Sequence, residues 1–275
     1  MNPSLGIYTL ESFKQYLDYR LLADLSAFSN KTVNLYNYPD KAWTSKNVYG
    51  SSYAQWVYHS GFGATTVSGV QNPGFQPKST GLFVDYNNGR IIKNSTLTGN
   101  PTANVAVSEI NTYLTTKSDS QIVGETNFLS YPDIKPADTY LPPYSNVISA
   151  AYIRMQNTEN QPLSLGGTDW TAYKIRVICV CKNNYHLTAM ADTIRDMGDM
   201  VFPIITGQYS WPFNEYGDLK SGYDYNSYLE NPPIKGFIDR SSFGYIQNDI
   251  FSKNNPSFEV GIGTLDVRIP RNPHN

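Results

Sequence analysis

The run Tyr173-Lys-Ile-Arg-Val-Ile-Cys-Val-Cys181, followed by Lys-Asn-Asn-Tyr-His-Leu-Thr-Ala-Met-Ala-Asp-Thr-Ile-Arg-Asp-Met197, decides the fold. Alternate residues on a strand share a face. Ile175, Val177, Cys179 and Cys181 therefore share one side, and Ile178 and Val180 the other. A strand that is apolar on both sides lies in the middle of a sheet, covered twice. The period then changes. Leu187, Met190, Ile194, Met197 and Val201 recur every three or four residues, as on a helix with one buried stripe. The spacing predicts a helix over 185–200, capped by Asn183 or Asn184 and stopped by Pro203. A central strand feeding a helix that packs back on the sheet is a common layered unit.

Cys179 and Cys181 are the two cysteines of the chain. On one extended strand their Cα atoms lie about 6.6–6.8 Å apart, at the far limit of disulfide reach. They are expected to be free, buried thiols, and the compartment of assembly is then a reducing one. No metal or other cofactor is expected. His59, His186 and His274 are scattered, without a partner at ligand or triad spacing.

Upstream, Leu10, Phe13, Leu17, Leu21, Leu25 and Phe28 predict an N-terminal helix over 10–28. Thr9 is its expected cap, and Glu11 places negative charge in its first turn. The segment 32–36 reads as a strand, and 67–79, rich in Gly, Pro, Ser and Gln, as a long loop. Leu82-Phe-Val-Asp-Tyr-Asn-Asn-Gly-Arg-Ile-Ile92 is the clearest hairpin, with Asn88-Gly89 as a two-residue turn. Further strands are expected over 105–115, 122–128 and 147–155, with loops at 131–144 and 157–167. Two closing strands are expected over 236–251 and 258–269. Gly61-Phe-Gly63 and Gly261-Ile-Gly263 read as turn or bulge glycines. The fold class expected is α+β: a mixed, largely antiparallel sheet or sandwich, with an N-terminal helix and a second helix packed on it. The chain reads as a single domain over 1–275, with loop insertions at about 37–80 and 207–233.

Composition narrows the function. With 21 Lys+Arg against 23 Asp+Glu, the near-neutral balance argues against a groove driven by phosphate neutralisation. Aromatics make up 14% of the chain, which excludes a disordered segment and suits polar, adaptable contacts. No apolar stretch approaches the roughly 18 residues of a membrane helix. Residues 1–7 lack the basic-then-apolar pattern of a secretory leader. Phosphate-loop, dinucleotide, zinc-protease and nucleophile-elbow motifs are missing, so an enzyme is not expected. Asp192 and Asp196, one helical turn apart, are expected to be solvated.

The aromatic segment 207–233 has three readings: packing on its own sheet, contact between subunits, or a grip on sugar rings. The subunit reading names Trp211, Phe213, Tyr223, Tyr225, Tyr228 and Phe75 as candidate interface residues.

Four features in order carry a resemblance: the 10–28 helix, the Phe83-Val-Asp-Tyr-Asn-Asn-Gly-Arg90 hairpin, the 175–181 strand with its 187–201 helix, and the closing 258–269 strand. The pattern resembles virion structural proteins of tailed bacteriophages, most of all the neck group at the head–tail junction and its tail-terminator proteins. That resemblance implies a helix on a mixed sheet and a cyclic homo-oligomer, commonly a hexamer, through which DNA can pass. It implies neighbouring head–tail or tail proteins as partners, with no membrane and no sequence-specific nucleic acid, and a place in the virion after assembly in the host cytoplasm. It carries no catalytic residues. The alternatives are another virion part, a tail-tube or head-decoration protein, or a carbohydrate-binding adhesion module.

Overall fold

The computed structural model describes residues 5–38, 40–59, 69–71, 75–77, 81–97, 99, 101–124, 129–130, 147–162, 169–206, 212–246 and 258–271. Helix α1 spans Leu5–Leu25. Then come β1 (Phe28–Asn34), β2 (Tyr36–Tyr38), β3 (Asn47–Gly50), β4 (Gly69–Gln71), β5 (Phe75–Pro77), β6 (Leu82–Asp85), β7 (Arg90–Lys93), β8 (Thr102–Ser108) and β9 (Asn111–Leu114). Helix α2 (Asp119–Val123) leads to β10 (Leu129–Ser130), β11 (Val147–Ile148), β12 (Ala150–Pro162) and β13 (Asp169–Cys181). Helix α3 (Asn184–Asp196), β14 (Val201–Pro203), helix α4 (Tyr225–Glu230), β15 (Lys235–Ile246) and β16 (Glu259–Arg271) complete the order. The chain is α+β and its sheets are mostly antiparallel.

The largest sheet has the order β14-β15-β16-β13-β12-β9, so β13 is central. Its two faces enter two cores. Ile175, Val177, Cys179 and Cys181 pack with Leu187, Met190 and Ile194 of α3, with Met197 just past its end, and with Phe13 and Leu17 of α1. Ile178 and Val180 pack on the opposite side with Ile122, Tyr152 and Val260. Cys179 and Cys181 are free and buried. Each such side chain adds about 1.5–3 kcal/mol of transfer free energy.

Asn183 caps α3, its side-chain oxygen accepting from the His186 N–H at 2.9 Å. The helix ends at Asp196, short of the expected Met200. Ser241 donates to the Arg195 carbonyl at 2.7 Å and satisfies a last-turn acceptor. Asp199 then takes φ +61° and the chain turns into β14. Val201 consequently lies on an edge, 41% exposed, and not on the buried stripe. Gly261 and Gly263 are not turn or bulge glycines; both sit inside β16. A Cβ at Gly261 would come 2.4 Å from the Phe243 ring, and one at Gly263 3.0 Å from Ile194. The two glycines clear the space in which α3 and Phe243 lie on the sheet.

Helix α1 starts five residues earlier than its stripe suggested and releases Phe28 to β1. Thr9 is no cap: it lies within the helix, and its hydroxyl donates to the Leu5 carbonyl at 2.7 Å. Glu11 falls past the first turn, which holds no acid. Thr9, Ser12 and Gln15 are buried beside Phe13, Tyr16 and Leu17, so the helix is covered well beyond one stripe.

Residues 28–108 form two smaller sheets, β1-β8-β4-β5 and β2-β3-β7-β6. Val33, Val105 and Val107 of the first cluster with Tyr49, Val84 and Ile91 of the second, around Trp56. The expected loop insertion at 37–80 thus contains four strands, and β4 and β5 interrupt the loop expected over 67–79. The β6–β7 hairpin is present, but Asp85 pairs with Arg90, and the turn is a 3-10 turn over Tyr86–Asn88 closed by Gly89 at φ +56°. Asp85 holds Asn88 Nδ2 at 2.9 Å and Arg90 Nε at 2.7 Å, which favours the longer turn over the two-residue one. Gly89 is required there, since a Cβ would stand 1.9 Å from the Tyr53 carbonyl oxygen.

Three further expectations change. The strand over 105–115 is two strands in different sheets. The strand over 122–128 begins as α2, whose capping box joins Ser118 to Gln121. The loop over 157–167 begins as β12, which continues to Pro162. Residues 61–63 and 131–144 lie outside the described residues.

Candidate functional site

The aromatic segment folds back on its own chain. Tyr225, at the start of α4, is 2% exposed, with its ring 5.3 Å from Tyr19 of α1 and 5.0 Å from His59. Tyr223 donates to Gln15 Oε1 of α1 at 2.9 Å, and its ring lies 5.8 Å from Tyr228. Phe213 is buried edge-on against Tyr58 at 4.9 Å. Phe213 and Tyr225, two of the candidate interface residues, are thus buried against their own subunit. Tyr223 and Tyr228 are half-buried beside them. Phe75 sits on β5 opposite Gln71, and Trp211 lies outside the described residues.

What these rings cover is a polar seam between α1 and the N-terminal sheets. Asp18 is its hub. Lys14, one turn earlier, holds Asp18 Oδ2 at 2.8 Å, and the Tyr58 hydroxyl donates to the same oxygen at 3.0 Å. The Thr112 hydroxyl donates to Oδ1. Gln55 adds a two-way bond to the Thr112 backbone, accepting at 2.9 Å and donating at 2.7 Å. Burial and then the charge of Asp18 push the Tyr58 phenol well above its ordinary value, so it stays a donor. His59 is 1% exposed, and its burial pushes it down to about 4, with Asp18 pulling the other way. A cavity of about 20 Å³ lies among Lys14, Asp18, Gln55, Tyr58 and His59. That is room for one water.

Chemically the seam is a carboxylate that accepts from three side chains and a histidine held neutral, around a space too small for a substrate. Lys14, Tyr58 and Thr112 meet on Asp18, and such a buried polar cluster fixes a packing arrangement. His186 is likewise engaged, its Nδ1 2.9 Å from the Ser149 hydroxyl. Asp192 and Asp196 are exposed, as expected, and Asp192 lies 3.5 Å from Arg195. Among the described residues, no three His, Cys, Asp or Glu side chains gather as a metal site.

A second cluster, at the surface, escaped the sequence reading. Tyr216 stacks on Phe83 at 4.0 Å, and Trp43 lies 5.3 Å from Tyr216 at 31°. Lys46 Nζ stands 5.0 Å from the Tyr216 ring centre and bonds Asn94 at 2.7 Å. The three rings are half-buried. They come from three separate segments, so no local spacing joins them. The seam did leave a trace: Lys14 and Asp18 are i,i+4 on a predicted helix. No protein-family model matches the chain, and no curated protein matches it.

Proposed function

We propose that this chain is a non-enzymatic structural protein of a tailed-phage virion, one subunit of a ring at the head–tail interface that joins the tail to the head as a neck or tail-terminator protein. The observation that supports this reading is the layering: α1 and α3 lie together on one face of a largely antiparallel six-stranded sheet. That is the arrangement the sequence resemblance implies. The subunits form a cyclic homo-oligomer that contacts neighbouring head–tail or tail proteins. The test is the mass of the purified chain in solution, with electron microscopy of the same sample. Rings whose mass is a small multiple of 30.9 kDa support the reading, and a monomer at every concentration contradicts it.

One observation favours a carbohydrate-binding reading instead. The Trp43–Tyr216–Phe83 stack, with Lys46 and Asn94 beside it, offers rings and polar groups together at the surface. Binding on a glycan array that is lost in Trp43→Ala would replace the ring proposal by this one.

A further inference from the structure

Among the described residues, the large sheet leaves two strand edges open at diagonally opposite corners. On one side β9 pairs only with Ala150–Ile153 of β12. Among the described residues, the rest of β12 pairs with β13 alone. Residues 156–160 are all exposed, on both faces of the strand. On the other side β14 pairs only with Lys235–Phe237 of β15. Residues 240–246 of β15 pair with β16 alone among the described residues, and Tyr245 there is 48% exposed. Each open half begins at a register shift, Met155/Asn157 in β12 and Ile238/Arg240 in β15. Such bulges re-aim a strand.

Open edges are normally guarded by lysine, proline or inward charge. Here Pro162 ends one open half and Arg240 begins the other; within them Gln156-Asn-Thr-Glu-Asn-Gln161 carries one acid and no base, and Ser241-Ser-Phe-Gly-Tyr-Ile246 carries no charge. We infer that these two edges pair with each other between successive copies of the chain, β12 of one subunit along β15 of the next. This rests on the ring reading above and names its joint.

Three features fix a second copy as the occupant. Direction is the first. β15, β16, β13 and β12 are successively antiparallel, so a head-to-tail repeat sets β12 antiparallel to the next β15. Shape is the second. One corner is filled by β9 and the opposite corner by β14, so two copies lap, each open half facing the other's. The lap that matches the open halves sets Thr158 opposite Tyr245 and Gln161 opposite Ser242, which covers the exposed tyrosine. Closure is the third. A separate peptide would cover one edge and leave the other, whereas a ring of heterologous contacts covers both in every copy. The offset that the lap imposes is the stagger that a closed, tilted sheet needs.

The test uses the full chain with two single-cysteine variants, Thr158→Cys and Tyr245→Cys. The native Cys179 and Cys181 are fully buried and silent in the folded protein. Facing Cβ atoms in a sheet lie about 4.5–5.5 Å apart, the lower end of which meets the roughly 4.5 Å upper limit of a disulfide, so a small approach of the exposed strands lets a bridge form. Under mild oxidation the mixed variants should give a covalent dimer, and neither variant alone should. Hydrogen exchange of the unmodified chain gives an independent reading: the alternate, edge-facing amides of 157–161 and 242–246, which do not bond β13 or β16, should slow about tenfold or more on assembly. An assembled parent with neither the mixed cross-link nor slowed amides overturns the joint and leaves the ring standing. Self-cross-linking of one variant points to a two-fold contact and overturns the lap. A parent that stays at 30.9 kDa at every concentration overturns joint and ring together.

Discussion

The two halves of the molecule solve the same packing problem in opposite ways. The C-terminal sheet uses long strands, with Asp169–Cys181 and Glu259–Arg271 paired along their whole length. Its core is mainly aliphatic, with Phe13, Tyr16, Tyr173 and Phe202 among it, and two helices cover one face. The N-terminal sheets use strands of three to seven residues. Their core gathers Trp56, Tyr49, Tyr58 and Tyr86 with Val, Leu and Ile side chains. Charge is buried there too: Arg90 is 5% exposed, with Asp85 at 2.7 Å and Asp40 at 2.5 Å. A long, mainly aliphatic sheet is held chiefly by buried area. Short strands bury too little for that, so aromatic volume and satisfied ion pairs hold the second half, at the cost of desolvating them. Helix α1 serves both, giving Phe13 and Leu17 to one core and Asp18 to the polar seam of the other.

The largest expected effects test whether the halves are energetically separate. Trp56→Ala should cost about 3–5 kcal/mol and Ile194→Ala about 2–5 kcal/mol, both being fully buried. Because α1 is shared, both changes should lower one common unfolding transition in denaturant. Two transitions, each moved by only one substitution, would show that α1 does not couple the halves.

The same contrast explains what could be read from the sequence. The strand and helix of 173–197 repeat their periods long enough to be unambiguous, and the closing strand behaves alike. A strand of three or four residues holds barely two repeats, so β2 to β5 read as loop, and their pairings are decided by partners far along the chain. The β6–β7 hairpin was legible, but its turn was not: the local Asn88-Gly89 preference lost to the Asp85 carboxylate gathering Asn88 and Arg90. Helix α2 was missed although Ser118 and Gln121 stand at capping-box spacing, because the apolar Ile122-Val123 drew the reading toward a strand. The site fared worst. Tyr223 and Tyr225 were singled out as candidate interface residues, and in the fold both meet α1 of their own chain, a contact spanning some two hundred residues that no spacing rule encodes.

Next in size is the pH dependence of the seam. His59 is neutral in the fold, with its value at about 4 against an ordinary 6.5. In that interval the unfolded chain binds the extra proton and the folded chain does not. Stability is therefore whole above about pH 6.5, declines as the pH falls, and this share is gone by about pH 4. At about 1.36 kcal/mol for each pH unit, the loss is about 3 kcal/mol. His59→Gln cannot charge at this position, so its curve should keep only the decline that half-buried His186, also lowered by its burial, adds in the same direction. Equilibrium unfolding at stepped pH checks both. A parent curve no steeper than that of the variant would mean that the seam admits the proton and is wetter than the aromatic half requires.

The smallest effect separates the halves on the same axis. Asp119, in the first turn of α2, bonds Arg154 at 2.7 Å and Arg176 at 3.0 Å on the face of the sheet away from α1 and α3. Burial opposes its charge, but the two guanidinium groups prevail and hold its carboxyl below the usual 3.8. The sign is now reversed. The charged form is the folded form, so this stability is present above about pH 4 and is lost only below it, as the pH falls through the folded value. All three groups keep roughly one-quarter of their side chains exposed, and the solvent there screens the bridges, so Asp119→Asn should cost roughly 1 kcal/mol near neutral pH. It should leave the decline between pH 6.5 and 4 unchanged, since that belongs to His59 and, in smaller part, to His186. If the decline weakens in Asp119→Asn, the acid response belongs to the sheet face and not to the seam, and the division of polar stabilisation between the halves is wrong.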